Sequence, residues 1–376
     1  MSVRVSYSKQ AIAGIMLILV VLSAVEIALR IYNYEYPLCT IMKSDAYENV
    51  NYDLKKQICF DSLDLIWNYY PLSYIKPNQH FQTINIDSDG FRGPEIEKQK
   101  PENTYRIFVV GGSTTFGWGT TADNTTIPGY LQKDFNDAKT DYKVEVINAG
   151  IDSAFSLTES QLVTDKLAKY NPDLIIVYDG YNDIVTASRV NNIYEIKGSF
   201  TDTMIDFFKN NLSFYKTPVI GQLLVNEITS KGVYRSDITK TFDSSDIQEK
   251  VSLWKDRWSN VCDLGKKENL DMMITVQPFL GTGDKPLTKY EQDYLNKTNN
   301  LAKLPSYQLY VNTLDDLNNH CSKTADLRNV FDGVTEPVFY DYAHAADAGN
   351  KIVADKLFQL SMPLVQQKMG NTQKIT

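Results

Sequence analysis

The chain has 376 residues, of which 43% are hydrophobic and 22% charged, and its formal net charge is −8. Those are ordinary globular proportions, with length enough for one large or two modest domains. An acidic balance with no basic block excludes a phosphate-reading surface, so nucleic acid is not an expected partner.

The first element is apolar. "MSVRVSYSKQ" carries Arg4 and Lys9, and residues 11–25 carry no charge. Residues 11–32 are long enough to cross about 30 Å of hydrocarbon at ~1.5 Å per residue. Glu26 and Arg30, four apart, can pair near the far interface, and Tyr32, Tyr34 and Tyr36 suit the headgroup level. Residues 1–36 therefore read as a cytoplasmic stub and an uncleaved membrane anchor. A cleaved signal peptide is the competing reading, although Leu22 or Glu26 would spoil the small residue wanted three before the cut. Either reading places the body on the extracytoplasmic side, tethered in the first case and secreted in the second. The four cysteines suit that compartment; Cys39–Cys59 and Cys262–Cys321 is the simplest of three connectivities. None has zinc-ligand spacing and the chain has three histidines, so no metal or cofactor is expected. Asn124, Asn211 and Asn296 begin glycosylation sequons.

Residues 37–100 are polar, rich in tyrosine and broken by Pro71, Pro77 and Pro94, and read as a stem or N-terminal cap. From 101 to 365 the texture alternates. The runs 105–112, 142–150 and 173–180 are Val/Ile-rich, end in glycine and read as buried parallel strands, with helices between them. Residues 246–268 place apolar side chains at 247, 251, 254, 258, 261 and 262, a helical stripe. Residues 270–280 and 307–314 read as a fourth and a fifth strand, 348–360 as a closing helix and 366–376 as a tail. The expected fold is α/β, a three-layer doubly wound parallel five-stranded sheet behind an N-terminal transmembrane helix. Residues 187–245 interrupt it, as an extra packed helical hairpin, a lid over the site or a surface that meets membrane or a partner.

In such sheets ligands gather at the carboxyl ends of the strands. Those ends deliver Gly112-Ser113, Gly150 and Gly180-Tyr181-Asn182-Asp183, and "FYDYAHAADAGN" adds Asp341 and His344 near the C-terminus. A serine after a strand is commonly a helix N-cap. Here a histidine is present to take its proton, and an aspartate three residues earlier can hold that histidine's tautomer. Asn182 taken alone could cap a helix, Asp183 reads as structural, and Arg92 either clamps substrate or braces the stem.

The four blocks in this order resemble the SGNH (GDSL-like) hydrolase family over about residues 101–362. "INIDSDGFRGPE" also resembles a segment upstream in exported, membrane-anchored members. Glycine replaces the aspartate of the name-giving Gly-Asp-Ser. The resemblance implies the flavodoxin-like SGNH fold, a Ser113–His344–Asp341 triad, and an oxyanion hole from the N–H groups of Ser113 and Gly150 and the Asn182 amide. Independently of the resemblance, Trp118 and Tyr181 read equally as lining the acyl or sugar pocket or as only packing the loop. The implied activity is an extracytoplasmic serine esterase acting on acyl, chiefly acetyl, esters of surface glycans or lipids. An O-acyltransferase with the same triad, or a non-catalytic surface protein retaining the fold, are the alternatives.

Overall fold

The computed structural model describes residues 6–37, 39–68, 74–138, 140–185 and 244–372. The expected insertion at 187–245 lies outside the described residues up to position 243, as does the Asn211 sequon.

The apolar N-terminal run forms α1 (Tyr7–Glu35), with no buried residue. Its best 18-residue window has a mean hydropathy of 2.7, long and apolar enough to cross a membrane by length and composition. The expected Arg30–Glu26 pair forms, with Nε to Oε1 at 2.6 Å.

The stem follows as α2 (Tyr52–Asp64) and four two-residue strands, β1 (Trp67–Asn68) to β2 (Tyr74–Ile75) and β3 (Gln79–His80) to β4 (Asn85–Ile86). Asn51 starts α2 by accepting the Leu54 N–H, an ordinary N-cap. Cys39 and Cys59 form a disulfide, as do Cys262 and Cys321.

The body is one parallel sheet in the order β6-β5-β7-β8-β9, formed by β5 (Thr104–Gly111), β6 (Lys143–Gly150), β7 (Leu174–Asp179), β8 (Asp271–Val276) and β9 (Lys323–Asp326). All eight residues of β5 are buried. Phe108 and Val110 face one apolar cluster with Ile175 and Val177 of β7; Ile107 and Val109 face another with Leu174 and Ile176. The continuous apolar runs thus record burial on both faces. The first layer contains α5 (Ser156–Asp165), α7 (Ser244–Lys267) and α9 (Asn300–Asn312); the second contains α4 (Ile127–Asp137) and α11 (Asp347–Thr372). In α7 the stripe read from the sequence, Ile247, Val251, Trp254, Trp258, Val261 and Cys262, is the buried face.

Two expectations fail. Residues 307–314 are not a strand: Tyr307 and Tyr310 are fully buried on α9 and Leu314 opens α10 (Leu314–Leu317), a three- and four-residue spacing hidden within an aromatic-rich run. The fifth strand is β9, the polar Lys-Thr-Ala-Asp at the sheet edge, with no apolar pattern to announce it. The closing helix α11 also runs on to Thr372, into the residues read as a tail, with Met369 buried.

The chain passes from β5 to β6 on one side and then to β7 on the other. Strand order therefore reverses between β5 and β7, which opens a crevice at their carboxyl ends. The elements that follow these two strands are α3 (Ser113–Phe116) and α6 (Tyr181–Val185).

Candidate active site

The sharp exit from β5 puts Gly112 at the N-cap of α3 and Ser113 at its first position. Ser113 caps nothing. Its Oγ lies 2.7 Å from His344 Nε2, and His344 Nδ1 lies 2.8 Å from Asp341 Oδ2 and 3.0 Å from Oδ1. Asp341 Oδ1 also accepts the N–H groups of Ala343 and His344, at 2.9 and 2.8 Å. The three-residue offset thus folds the carboxylate back onto its own turn. Burial alone would lower the His344 pKa; the charge of Asp341 and its hydrogen bond outweigh it, Asp152 adds to them, and the net shift is upward. Imidazolium is stabilised where a transferred proton would arrive.

The turn holding Asp341 is fixed from behind. Glu291 Oε1 accepts the N–H groups of Val338 and Phe339, both at 2.9 Å, and its Oε2 meets Lys285 Nζ at 2.7 Å. Both Glu291 and Lys285 are buried. Tyr290 donates to the Tyr340 carbonyl at 2.8 Å, and Asn300 Nδ2 donates to the Tyr342 carbonyl at 2.7 Å. Tyr290 and Glu291 come from α8 (Lys289–Leu295), which starts in a Thr288/Glu291 capping box. Glu291→Gln keeps the shape but leaves Lys285 without a counter-charge. We expect a loss of about 3 kcal/mol in a urea titration, since breaking one half of a buried pair strands the other. An unchanged midpoint would show that the pair does not hold the turn.

Asn182 lies beside the nucleophile. Its Nδ2 donates to the Ala154 carbonyl at 2.7 Å, and a Cβ on Gly112 would meet the same nitrogen at 2.5 Å. Glycine before the serine is therefore what admits the amide in this chain. The capping role belongs to Asp183, whose carboxylate accepts the Ser156 N–H and hydroxyl at 2.9 and 2.5 Å.

Gly150 departs from its expected role. Its N–H is engaged by Asn148 Oδ1 at 3.0 Å, within β6. A Cβ there would meet the Phe116 nitrogen at 2.1 Å, so the glycine admits α3 against the sheet rather than substrate. Three residues on, exposed Ser153 holds a left-handed φ of 57° next to the Ala154 carbonyl that receives Asn182. A non-glycine residue in that region marks a locally over-determined loop. The sequence gives no warning of it, since only the strand-ending glycine stands out.

Trp118 and Tyr181 both make packing contacts, the second of the two readings open for them. Tyr181 is 7% exposed and packs on Phe279 and beneath Tyr342, with ring centroids 5.1 and 5.6 Å away. Tyr342 is the exposed ring beside His344, 6.0 Å between centroids. Half-buried Trp118 stacks on Trp67 of the stem, and its Nε1 donates to Asp152 at 2.9 Å. Arg92 braces: it is buried and reaches Asp123 and the carbonyls of Thr83, Phe116 and Gly117.

A doubly wound parallel sheet with serine, histidine and aspartate joined at its carboxyl edge has the layout of an α/β ester hydrolase. The GDSL-like lipase/acylhydrolase model matches residues 107–357; the chain belongs to that family and is an SGNH-type ester hydrolase. No curated protein matches it. Among solved structures it is similar to an acetyl xylan esterase, AlAXEase, with 15% identity over 68% of this chain and 98% of that one, at a TM-score of 0.39. It is similar to TesA at 14% identity, over 69% and 99%, with a TM-score of 0.40. A two-domain esterase active on acetylated mannans shows 14% identity over 69% of this chain and 49% of that one, with a TM-score of 0.37.

Proposed function

We propose that the protein is an extracytoplasmic serine esterase that removes short acyl groups, chiefly acetyl, from surface glycans or lipids through an acyl-enzyme. The observation that carries the reading is the unbroken hydrogen-bond chain Ser113–His344–Asp341. Ser113 Oγ attacks the ester carbonyl as His344 Nε2 takes its proton, with Asp341 holding the imidazolium. Collapse breaks the bond to the alcohol, which leaves with that proton. Water, deprotonated by His344, then attacks the acyl-enzyme and releases the acid and Ser113.

The developing oxyanion is met by the Ser113 N–H and the Asn182 amide. With Gly150 engaged in β6, the third donor we assign is the N–H of Ser153, on the loop that Asn182 already touches. Exposed Tyr342, whose ring stands 6.0 Å from that of His344, is the aromatic wall we assign to the acyl group. An apolar α1 and the two disulfides support a membrane-anchored catalytic domain in an oxidising compartment.

The test compares p-nitrophenyl acetate with p-nitrophenyl octanoate. We expect kcat/KM to favour acetate by about tenfold or more, since a site that serves acetyl groups gains nothing from the longer chain of octanoate. A preference for octanoate would overturn the short-acyl reading while leaving the esterase standing.

A further inference from the structure

The contact between Ser113 and His344 joins two segments 231 residues apart, each carried by its own turn. Tyr47, from the stem, touches both sides. Its hydroxyl donates to the Gly119 carbonyl at 2.5 Å, in the turn that leaves α3. Its ring packs edge-on to Tyr340 at 5.5 Å, and Tyr340 stacks on His344 at 5.7 Å with 22° between the planes. The three groups leave no slack: a Cβ on Gly119 would meet Tyr47 Oη at 2.6 Å and Tyr340 Oη at 2.7 Å. Tyr47 is 1% exposed. Burial, with the charges of Asp347 and Asp341, holds its phenol well above the usual value, so the hydroxyl remains a donor.

Tyr47 is seated in turn by the stem. It clusters with Ile41, Ile58 and Cys59 against Tyr340 and Ala346, and Cys59 ties that cluster to Cys39. The same α2 meets the end of α1, where Tyr52 donates to the Glu35 carbonyl and Lys56 lies 3.6 Å from Glu35. These stem residues all lie outside the residues 107–357 that match the family.

We propose that Tyr47 is a positioning residue for the Ser113–His344 contact, which makes the membrane-proximal stem a working part of the active site rather than a tether. The proposal rests on the triad reading above. Tyr47 joins the turn after the nucleophile to the ring behind the base, and so sets the gap across which the proton moves. A displacement of well under an ångström there costs turnover and leaves substrate binding largely intact.

The test uses the full chain in detergent, with p-nitrophenyl acetate as substrate and urea unfolding alongside. Tyr47→Phe removes one oxygen and keeps the ring. We expect kcat to fall about tenfold with KM within about twofold, and Tyr47→Ala to fall further. Phe135→Leu loosens a separate cluster, between α4 and α11, where Phe135 packs on Phe358; it should lower the unfolding midpoint while kcat at low temperature stays within about twofold of the parent. A Tyr47→Phe enzyme with parental kcat would overturn the proposal, and so would a Phe135→Leu enzyme that loses as much kcat as Tyr47→Phe. Failure of the triad reading is told apart by the parent protein alone, which would then show no turnover and no fluorophosphonate labelling.

Discussion

Ser113→Ala is expected to lower kcat/KM for p-nitrophenyl acetate by at least about 10³-fold with the unfolding midpoint little changed. The oxygen removed is the nucleophile itself, and it lies 2.7 Å from His344 Nε2, the nitrogen that takes its proton. Without it the histidine has no nucleophile to activate, and what remains is the oxyanion donors acting on adventitious water. The change removes one half-buried oxygen and leaves the backbone path from β5 through Gly112 intact, so the fold has little to lose. Steady-state kinetics on the purified variant decides it. Retention of more than about a tenth of the activity would remove Ser113 from the chemistry.

Asp341→Asn is the second large effect, and it reads the other end of the same chain. Asparagine can still accept the N–H groups of Ala343 and His344 through Oδ1. Its amide, however, would face His344 Nδ1 with a donor in place of the oxygen now 2.8 Å away. Nδ1 must then accept, which puts the proton on Nε2 and leaves no lone pair for Ser113. The expected fall in kcat is on the order of 10³- to 10⁴-fold, the size seen where the same swap is made in serine proteases of this layout. A pH signature accompanies it. Burial lowers the His344 pKa, while Asp341 and Asp152 raise it beyond that loss. The parent should therefore lose kcat/KM as pH falls through a value above the ordinary 6.5. With the Asp341 charge gone, burial counts for more and the acid limb should move to lower pH. An acid limb that stays in place would mean that Asp341 does not govern the histidine.

The proposed triad is legible because its members sit where the chain changes texture. Ser113 follows an apolar run and two glycines, and Asp341 and His344 share one short turn. The strands β5, β6 and β7 were legible for the same reason, since burial on both faces leaves unbroken Val and Ile. What failed needed tertiary information. The polar β9 is a strand only because β8 offers it an edge, and 307–314 is a helix because Tyr307 and Tyr310 fill the space under α7 and β8. Gly150 is ambiguous in the sequence because a strand-ending glycine has two physical uses, approach to substrate and approach to a neighbouring element. Only the 2.1 Å clash with Phe116 tells them apart. Glu291 belongs to a capping box that the sequence displays, yet its second task, holding the Asp341 turn, appears only when residues 338 and 339 arrive beside it. Tyr47 is the extreme case: one tyrosine among 24, in a stem with no catalytic texture, it meets the site through contacts more than 70 residues away in sequence.

The most direct measurement is labelling of the full chain with a fluorophosphonate, followed by mass mapping of the modified peptide. A serine activated by His344 and Asp341 should give one stoichiometric adduct, on Ser113, which disappears in Ser113→Ala and slows strongly in Asp341→Asn. An unlabelled protein, or an adduct on any other serine, would contradict the assignment of Ser113 as the nucleophile.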